Sequence, residues 1–577
     1  MFLREKPVGK YKYVQIVESY RDAGRVRQRV LLTLGRLDRL RESGQLDALV
    51  ASGARLSEKL SVIGAHKRGE LTDERTSRIG PGRVFGRLWE ETGIAACLKS
   101  LLAGRQFEFP VEAAVFLTVV HRLMAPGSDR AAERWRQQYQ LGERVEKLDF
   151  HHLYRAMAWL GEPLPQAEQQ GHTHPLTPRC VKDLVEEQLF ARRRTLFSQM
   201  VVAFFDTTSI YFEGEGGDTI GKRGKNKDGH PELKQMVVGL ILDGEGHPIC
   251  CEMWPGNTAD VKTLIPVLDR LQTRFNVVKV MVVADRGMIS KGVVDAMEAR
   301  TDVEYILGAR MRRSKEVSQT VLARAGRYQV VQPERKKAKD PSPLKVKEVV
   351  VKEKMKDGVI KERRYVVCYN ADQARKDRKD RKDREAIVAA LREALKKGDK
   401  ALVGNKGYRK FLKPPQSGFE INEEKMRSEK RLDRKWVLKT NNTTMSSAQV
   451  ALTYKPLWRA ESIFRSVKSH LATRPVFHQR DETIRGHVFC SFLALVLMKE
   501  LQKRMLAREW EAEWAHVIGD HDALTETSVK ASDGKRFIIR SEVKGWTGRC
   551  FQAAGVALAP TLQLVEENHD ISTQRGK

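Results

Sequence analysis

The order of apolar and polar positions divides the first 200 residues into a short β segment and a longer helical segment. Residues 10–20 and 26–34 are rich in Tyr, Val and Leu, with Asp22, Ala23 and Gly24 between them, which predicts a β-hairpin. From residue 37 to about residue 60 the apolar positions recur at helical spacing. Further helices are predicted over residues 84–102, 111–123, 131–135 (capped by Ser128), 151–160 and 181–196.

The pattern changes at residue 201, where apolar runs of strand length alternate with helical segments. A turn is predicted at Gly244–Gly246, and helices are predicted after Thr263 and Ser290. Strands are predicted over residues 201–206, 236–243, 247–254, 277–285 and 303–310. Three strands followed by alternating helices and strands indicate an α/β domain with a mixed sheet flanked by helices.

A block between residues 311 and 440 interrupts this alternation. Two strand-like runs flank Asp357–Gly358, which is typical of a hairpin, and residues 374–397 predict a charge-rich helix. Helical spacing returns from about Pro456 to Leu471. The pattern predicts six segments: a hairpin and helix (1–70), a helical region (71–198), two parts of one sheet domain (199–310 and 441–500), a β-rich insertion between them (311–440) and a C-terminal helical region (501–577).

The charge balance indicates the kind of partner. Among 577 residues, 104 are Lys or Arg and 74 are Asp or Glu, which gives a net charge of +30. A positive surplus of this size, spread along the whole chain, is typical of proteins that bind nucleic acid. The alternative is a basic protein whose charge serves solubility alone.

Cysteine usage and the lengths of the apolar runs exclude several classes of protein. The seven cysteines include no CxxC pair, which argues against a disulfide framework and a structural zinc site. His172 and His174 form an HxH pair in a Pro-rich loop, but no Cys pair supports zinc binding there. The N-terminus has no apolar signal core, and no window approaches the ~20 apolar residues of a membrane helix. We therefore expect a cytoplasmic protein without membrane association.

Two aspartates follow apolar strands. Asp206 ends the run 201–206, and Asp285 ends the run 277–285. An Asp after a strand is most often a turn or cap residue. Two strands of one sheet that end in Asp can instead bring two carboxylates together, which costs repulsion unless a cation lies between them. Mg²⁺ prefers such oxygen ligands.

A third acid lies on the helix predicted from Pro456. Glu461, Arg465 and Lys468 share one face of this helix. One interpretation is a surface Glu461–Arg465 pair, and the other is a carboxylate that holds a metal ion beside a phosphate backbone contacted by the two cations. A separate buried stripe is predicted for the apolar residues at helical spacing, which are Ala460, Phe464, Val467 and Leu471.

These motifs resemble the DDE insertion-sequence transposases, in the group with a YREK signature and a β-rich insertion before the last acid. FFDTTSIYFEG corresponds to the first motif and gives Asp206, and VVADRGMIS corresponds to the second and gives Asp285 with Gly287. WPGNTAD after the third strand and the stretch from RPVFH to HVFCSFLALVL also resemble the family. The resemblance extends from about Val84 to Leu501.

The third motif matches the signature incompletely. Its spacing of Tyr, two residues, Arg, three residues, Glu, six residues and Lys fits Tyr454, Glu461 and Lys468, but Leu457 stands at the Arg position. Either Arg459 or Arg465 supplies the missing contact, or the subgroup does without it.

The resemblance implies an RNase H-like core interrupted by a β-rich insertion. Separately, the helical pattern and the many Arg residues of the N-terminal half predict a mainly helical N-terminal region that binds DNA. The resemblance also implies an enzyme that cleaves DNA at the ends of a mobile element and joins them to target DNA. Both reactions would use two Mg²⁺ ions, for which Mn²⁺ can substitute. Asp206, Asp285 and Glu461 would hold the ions, with Asp206 as the bridge. We further expect a homodimer on DNA and association with the nucleoid.

The DNA contacts implied by the same motifs are Tyr454, Arg459, Arg465 and Lys468. Trp436 precedes the last helix and is either a packing residue or a platform for an unstacked base. Residues 222–227, KRGKNK, form either a DNA-contacting loop or a solvated turn. Two other functions remain open: a stand-alone RNase H-like nuclease and a DNA-binding protein without catalysis.

Overall fold

The structure is a computed structural model of the chain. The residues that it describes are 1–22, 25–54, 65–169, 178–193, 200–225, 229–312, 314–333, 342–354, 360–370, 435–469, 473–532, 534–565 and the isolated positions 62, 389, 393, 422, 432 and 471. In this part of the chain, no helix is long and apolar enough to cross a membrane.

The chain divides into two compact units. The first comprises Met1–Val84, Gln137–Leu141 and Trp510–Lys577, and the second comprises Phe85–Arg136 and Gly142–Glu509. The second unit contains all of the residues proposed above as metal ligands or DNA contacts.

The N-terminal segment is a three-stranded antiparallel sheet. Its strands are β1 (Phe2–Val8), β2 (Tyr11–Asp22) and β3 (Arg25–Arg36), in that spatial order. The predicted hairpin corresponds to β2 and β3, which pair from Asp22↔Arg25 onwards, while its turn residues Ala23 and Gly24 lie outside the described residues. The sequence of β1, FLREKPV, does not alternate between apolar and polar residues, and this strand was not predicted.

Two short helices, α1 (Leu37–Glu42) and α2 (Gln45–Ala54), and the strand β4 (Leu71–Arg78) follow. The described residues among the first 78 are therefore mostly β, and the prediction of a mainly helical N-terminal region is wrong for them. The conformation of the strands β1 to β4 is determined by pairing with other strands rather than by the local spacing of apolar residues.

Helices predominate from residue 80 to residue 193. Gly93 adopts a positive φ of 82° and ends the helix that was predicted to continue over residues 84–102. The predicted cap is confirmed, because the Ala131 amide donates to Ser128 Oγ at 3.2 Å. The helices are α3 (Gly80–Glu91), α4 (Ile94–Leu102), α5 (Val111–Met124), α6 (Asp129–Arg136), α7 (Glu143–Glu146), α8 (Phe150–Leu160) and α9 (Val181–Arg193).

The predicted strands and helices of the sheet domain are present. They are β5 (Met200–Tyr211), β6 (Gln235–Leu242), β7 (Pro248–Pro255), α10 (Leu264–Thr273), β8 (Lys279–Ala284), α11 (Lys291–Glu298) and β9 (Val303–Gly308). Their spatial order is β7-β6-β5-β8-β9, with antiparallel pairing between β7, β6 and β5 and parallel pairing between β5, β8 and β9. This mixed sheet confirms the predicted RNase H-like fold.

The insertion extends this sheet instead of forming a separate layer. Its strands are β10 (Gln329–Gln332), β11 (Leu344–Lys354), β12 (Ile360–Tyr369) and β13 (Lys435–Thr440). They continue the order as β10-β11-β12-β13-β9, so nine described strands form one sheet. The predicted hairpin corresponds to β11 and β12, while its turn and almost all of the predicted charged helix lie outside the described residues.

Among the described residues that follow the insertion, three helices belong to the second unit: α12 (Ser447–Tyr454), α13 (Trp458–Ser469) and α14 (Asp481–Leu506). The helix predicted from Pro456 begins at Trp458, because a 3₁₀ turn over Lys455–Leu457 joins it to α12. The long apolar helix α14 packs against α5, α8 and β7.

The C-terminal region was expected to be helical, and the structure corrects this. Helices α15 (Trp514–Ala523) and α16 (Thr547–Ala554) alternate with strands β14 (Thr525–Ala531), β15 (Arg536–Arg540) and β16 (Leu562–Val565). The strands form a sheet in the order β16-β15-β14-β4. Because β4 lies more than 400 residues earlier in the chain, local sequence gave no indication of this sheet.

A buried ionic cluster holds α9 and α10 against β7. The Arg270 guanidinium on α10 contacts Asp183 at 2.7 Å, Glu186 and Glu252, and the Lys182 ammonium contacts Asp183 at 2.7 Å. Burial raises the pKa of the Asp183 carboxyl, but Lys182 and Arg270 outweigh this effect and hold it below its usual value. Each charge in the cluster therefore depends on its partners.

Replacing Arg270 with Met should destabilise the protein by about 3–5 kcal/mol. The reason is that Asp183, Glu186 and Glu252 would all lose the positive charge that they contact. The matched control is Lys503→Met, which removes an exposed ion pair with Glu245 (2.8 Å) and should have a much smaller effect. The measurement is urea denaturation followed by circular dichroism. Equal urea midpoints for the two variants would contradict a structural role for the cluster.

Candidate active site

The two predicted aspartates lie on neighbouring parallel strands in matching positions. β5 and β8 pair in parallel from Met200↔Lys279 to Phe205↔Ala284, so Asp206 and Asp285 are the next residues on each strand. Side chains alternate along strands, and the register therefore places both carboxylates on the same face of the sheet. Adjacent strands are about 4.8 Å apart, which is close enough for two carboxylates to share a cation.

Asp206 does not end its strand, and this part of the prediction is corrected. β5 continues to Tyr211 because β6 pairs with it over the whole stretch, from Phe204↔Leu242 to Tyr211↔Gln235. Only the pairing with β8 stops before Asp206. Asp285 directly follows β8, as predicted.

The Asp206 carboxylate accepts a hydrogen bond from Thr207, its neighbour on β5, which also contacts another acid. The Thr207 amide donates to Asp206 Oδ1 at 2.8 Å, and the Thr207 hydroxyl donates to Asp260 Oδ1 at 2.9 Å. Asp260 belongs to the WPGNTAD segment and precedes α10. Sequence analysis did not identify Asp260, because it contacts β5 at Thr207, which lies 53 positions earlier in the chain.

The turn after Asp285 is fixed from two sides. The Arg310 side chain donates from Nε to the Arg286 carbonyl at 2.9 Å and from Nη2 to the Gly287 carbonyl at 3.1 Å. The Tyr454 hydroxyl, at the end of α12, donates to Asp285 Oδ1 at 3.4 Å. Tyr454 therefore contacts a proposed metal ligand.

Gly308, the last residue of β9, allows this contact. A Cβ at Gly308 would lie 2.6 Å from the Tyr454 hydroxyl oxygen and 3.4 Å from Asp285 Oδ1. The first distance is shorter than real Cβ contacts, so any side chain here would displace Tyr454. Sequence analysis missed Gly308, because nothing in the local pattern VEYILGAR distinguishes it from an ordinary strand end.

The helix that carries the third acid packs against β5. The backbone of Glu461 lies in α13, which contacts β5, while the side chains of Glu461 and Arg459 lie outside the described part of the structure. Of the predicted buried stripe, Ala460, Phe464 and Leu471 are buried. The Val467 side chain is not among the described ones.

The basic residues on α13 differ in their surroundings. Arg465 is exposed and Lys468 is half-buried. Leu457, at the position of the signature Arg, is buried in the turn before α13, where an apolar side chain packs in the interior. Arg465 is therefore the described cation on this helix that is most accessible to a ligand.

The insertion supports the segment that leads to α13. The Arg364 side chain on β12 donates to Glu348 on β11 at 2.9 Å and to the Asn442 carbonyl at 2.8 Å, and Glu348 also accepts from the Ser447 hydroxyl on α12. The Lys455 ammonium donates to Gln332 on β10 at 2.8 Å. These contacts place Tyr454 through α12.

Trp436 lies in β13, on the face that carries the two acids. β13 pairs with β9 at Leu438↔Gly308, and alternation puts Trp436 on the same side as Leu438. The side chain is half-buried, so the register leaves open both roles considered for it.

Two other features considered from the sequence are not resolved into sites. His172 and His174 lie outside the described residues, as do Asn226 and Lys227 of the basic KRGKNK segment.

A cluster of Asp129, His478 and His487 has ligand atoms close together, but it already contains the Arg122 guanidinium, 2.8 Å from His487 Nδ1. Burial and Arg122 lower the pKa of His478 to about 4. A divalent cation beside this guanidinium would be repelled.

The carboxylate oxygens of Asp206, within β5, and of Asp285, directly after β8, fit a divalent metal ion, because two carboxylates on one face would otherwise repel each other. The family model described as the transposase DDE domain matches residues 197–497, just over half of the chain, from β5 into α14. The chain belongs to the DDE transposases. The model of the IS1634 family transposase N-terminal domain matches residues 3–65 of this transposase. A comparison with curated proteins finds no match.

Enzymes of the DDE transposase family cleave DNA and transfer its strands, and they generally use divalent metal ions. Neither match confirms the YREK signature, so the assignment of this transposase to the YREK group stays a prediction.

Replacing Gly308 with Ala should reduce DNA cleavage by the transposase at least about tenfold, because the new methyl group separates Tyr454 from Asp285. Gly292→Ala is the matched control, since its Cβ would meet no atom within 4 Å. Cleavage rates at saturating protein, with melting temperatures to check folding, provide the measurement. Equal rates for the two variants would show that the close approach at Gly308 has no part in activity.

Proposed function

We propose that this transposase binds the ends of the mobile element that encodes it, cleaves the DNA there and joins the 3′ ends to target DNA. Asp206, Asp285 and Glu461 would hold two Mg²⁺ ions, for which Mn²⁺ can substitute. The observation that supports this most strongly is the matched position of Asp206 and Asp285 on one face of the sheet, beside the helix that carries Glu461.

The residues around the acids have separate roles in this proposal. Asp206, on β5, would be the ligand shared by the two ions, and Asp285 and Glu461 would be the other carboxylates that hold them. When bound, the ions supply charge stabilisation at the attacking and leaving oxygens of phosphoryl transfer. Tyr454 orients the Asp285 carboxylate through its hydroxyl. No covalent protein–DNA intermediate is required.

DNA is held by side chains that neighbour the acids. Arg465 and Lys468 follow Glu461 on α13 and would contact phosphates, as would Arg459. Trp436 would stack on an unpaired base on the acid face of the sheet. Since an element has two ends, we propose that two copies of the chain assemble on DNA, each with one end at its acids.

Each of Asp206→Ala, Asp285→Ala and Glu461→Ala should abolish cleavage and leave end binding nearly unchanged, because the acids hold metal ions and not the DNA. Removing the divalent ion with a chelator should have the same effect. The substrate is a duplex taken from the inverted repeats that flank the coding region, tested side by side for nicking, strand transfer and gel shift. Asp295→Ala, on α11, is the control.

A variant among the three that nicks at the normal rate would remove that acid from the site. Nicking without any strand transfer by the unmodified protein would instead favour a stand-alone nuclease.

Lys468→Ala should weaken end binding about equally for all DNA sequences, because a phosphate contact carries no base information. The loss of one contact should reduce the log–log salt slope of affinity by about 0.9. Affinity measured across a salt series tests this, with Lys503→Ala as the control. An unchanged slope would make Lys468 an ordinary surface residue. If Arg465 replaces the Arg missing at Leu457, Arg465→Ala should reduce cleavage more than binding.

A further inference from the structure

Thr207 connects the bridging acid to a fourth carboxylate. Its amide donates to Asp206 Oδ1 at 2.8 Å, while its hydroxyl donates to Asp260 Oδ1 at 2.9 Å. Thr207 is 4% exposed, and alternation directs its side chain to the face of the sheet opposite Asp206. One residue thus holds an acid on each face.

Asp260 has a fixed backbone. Its carbonyl accepts from the Thr263 hydroxyl at 2.7 Å, and Thr263 is fully buried at the start of α10. The following residues of α10 belong to the core beneath β5 and β8. The backbone of Asp260 is therefore connected to this core through Thr263, and its carboxylate accepts the hydrogen bond from the Thr207 hydroxyl.

The turn that contains Asp260 also approaches the second acid. The turn Asp260–Lys262 packs against the turn Arg286–Met288, which directly follows Asp285. One short segment between β7 and α10 thus contacts the chain immediately after both proposed metal ligands.

We propose that Asp260 is a positioning residue of this transposase, which acts through Thr207 to hold Asp206 in its metal-binding orientation. The inference rests on the proposed role of Asp206 as a metal ligand. A threonine whose hydroxyl is anchored has one side-chain rotamer, because β-branched side chains are stiff at χ1. The strand backbone beside it is then fixed, and with it the amide that holds the Asp206 carboxylate. Loss of such an outer contact typically costs about 10–100-fold in metal affinity or activity.

The test compares variants that keep or remove the hydrogen bond. Thr207→Val and Asp260→Ala remove it and should each weaken Mn²⁺ binding and raise the Mg²⁺ concentration for half-maximal cleavage about 10–100-fold. Thr207→Ser and Asp260→Asn keep a hydroxyl and an acceptor oxygen, and should stay close to the unmodified protein. Mn²⁺ is titrated into the full chain and followed by the paramagnetic resonance signal of the free ion.

The double variant Thr207→Val with Asp260→Ala distinguishes a shared contact from general damage. Because both changes break the same hydrogen bond, the double variant should lose no more Mn²⁺ affinity than the more affected single variant. Fully additive losses, or unchanged Mn²⁺ affinity in Thr207→Val and Asp260→Ala, would overturn the inference. If Thr207→Val lowers the melting temperature, the inference is tested instead by the Mn²⁺ affinities of Asp260→Asn and Asp260→Ala. Equal affinities in these two variants would overturn it.

Asp206→Ala, measured in parallel, separates this inference from the proposed function. If Asp206→Ala still cleaves DNA and binds Mn²⁺ normally, the proposed function fails and the inference fails with it. If Asp206→Ala is inactive while Thr207→Val and Asp260→Ala are normal in both readouts, only the positioning role is overturned.

Discussion

The parallel pairing of β5 with β8 is the constraint on which the proposed site depends. Its register ends at Phe205↔Ala284, so the next residue on each strand is an aspartate, and both project from one face. A shift of one residue in either strand would send one carboxylate to the opposite face. The apolar residues that fill the core beneath the two strands therefore also determine the positions of the acids.

The remaining contacts of the site differ in how they fix each acid. Asp206 accepts a hydrogen bond from the amide of Thr207 in its own strand, and the Thr207 hydroxyl contacts Asp260 in the segment before α10. Asp285 is held from outside, by Tyr454 on α12 and by the Arg310 contacts to the following turn. Since α12 rests on β11 and β12, the insertion that interrupts the domain in sequence becomes part of its support in space.

The sequence predicted those features of the fold that depend on local pattern. The five strands of the core, the helix of Glu461 and the Ser128 cap were each found from spacing and residue type, and the two aspartates from their positions after apolar runs. Asp260 and Gly308 were not predicted, because their importance comes from neighbours 53 and more than 140 residues away. The continuation of β5 past Asp206 was missed for a related reason, since it depends on pairing with β6.

The central claim is that the segments around residues 206, 285 and 461 meet at one divalent metal site. It is tested most directly by substituting Fe²⁺ for the native ion and adding ascorbate and peroxide, which generates hydroxyl radicals that cut the polypeptide near the ion. Mass spectrometry of the fragments then locates the cuts. The account predicts cuts in all three segments, and their loss in Asp206→Ala. Cuts confined to other parts of the chain, or unchanged in that variant, would contradict it.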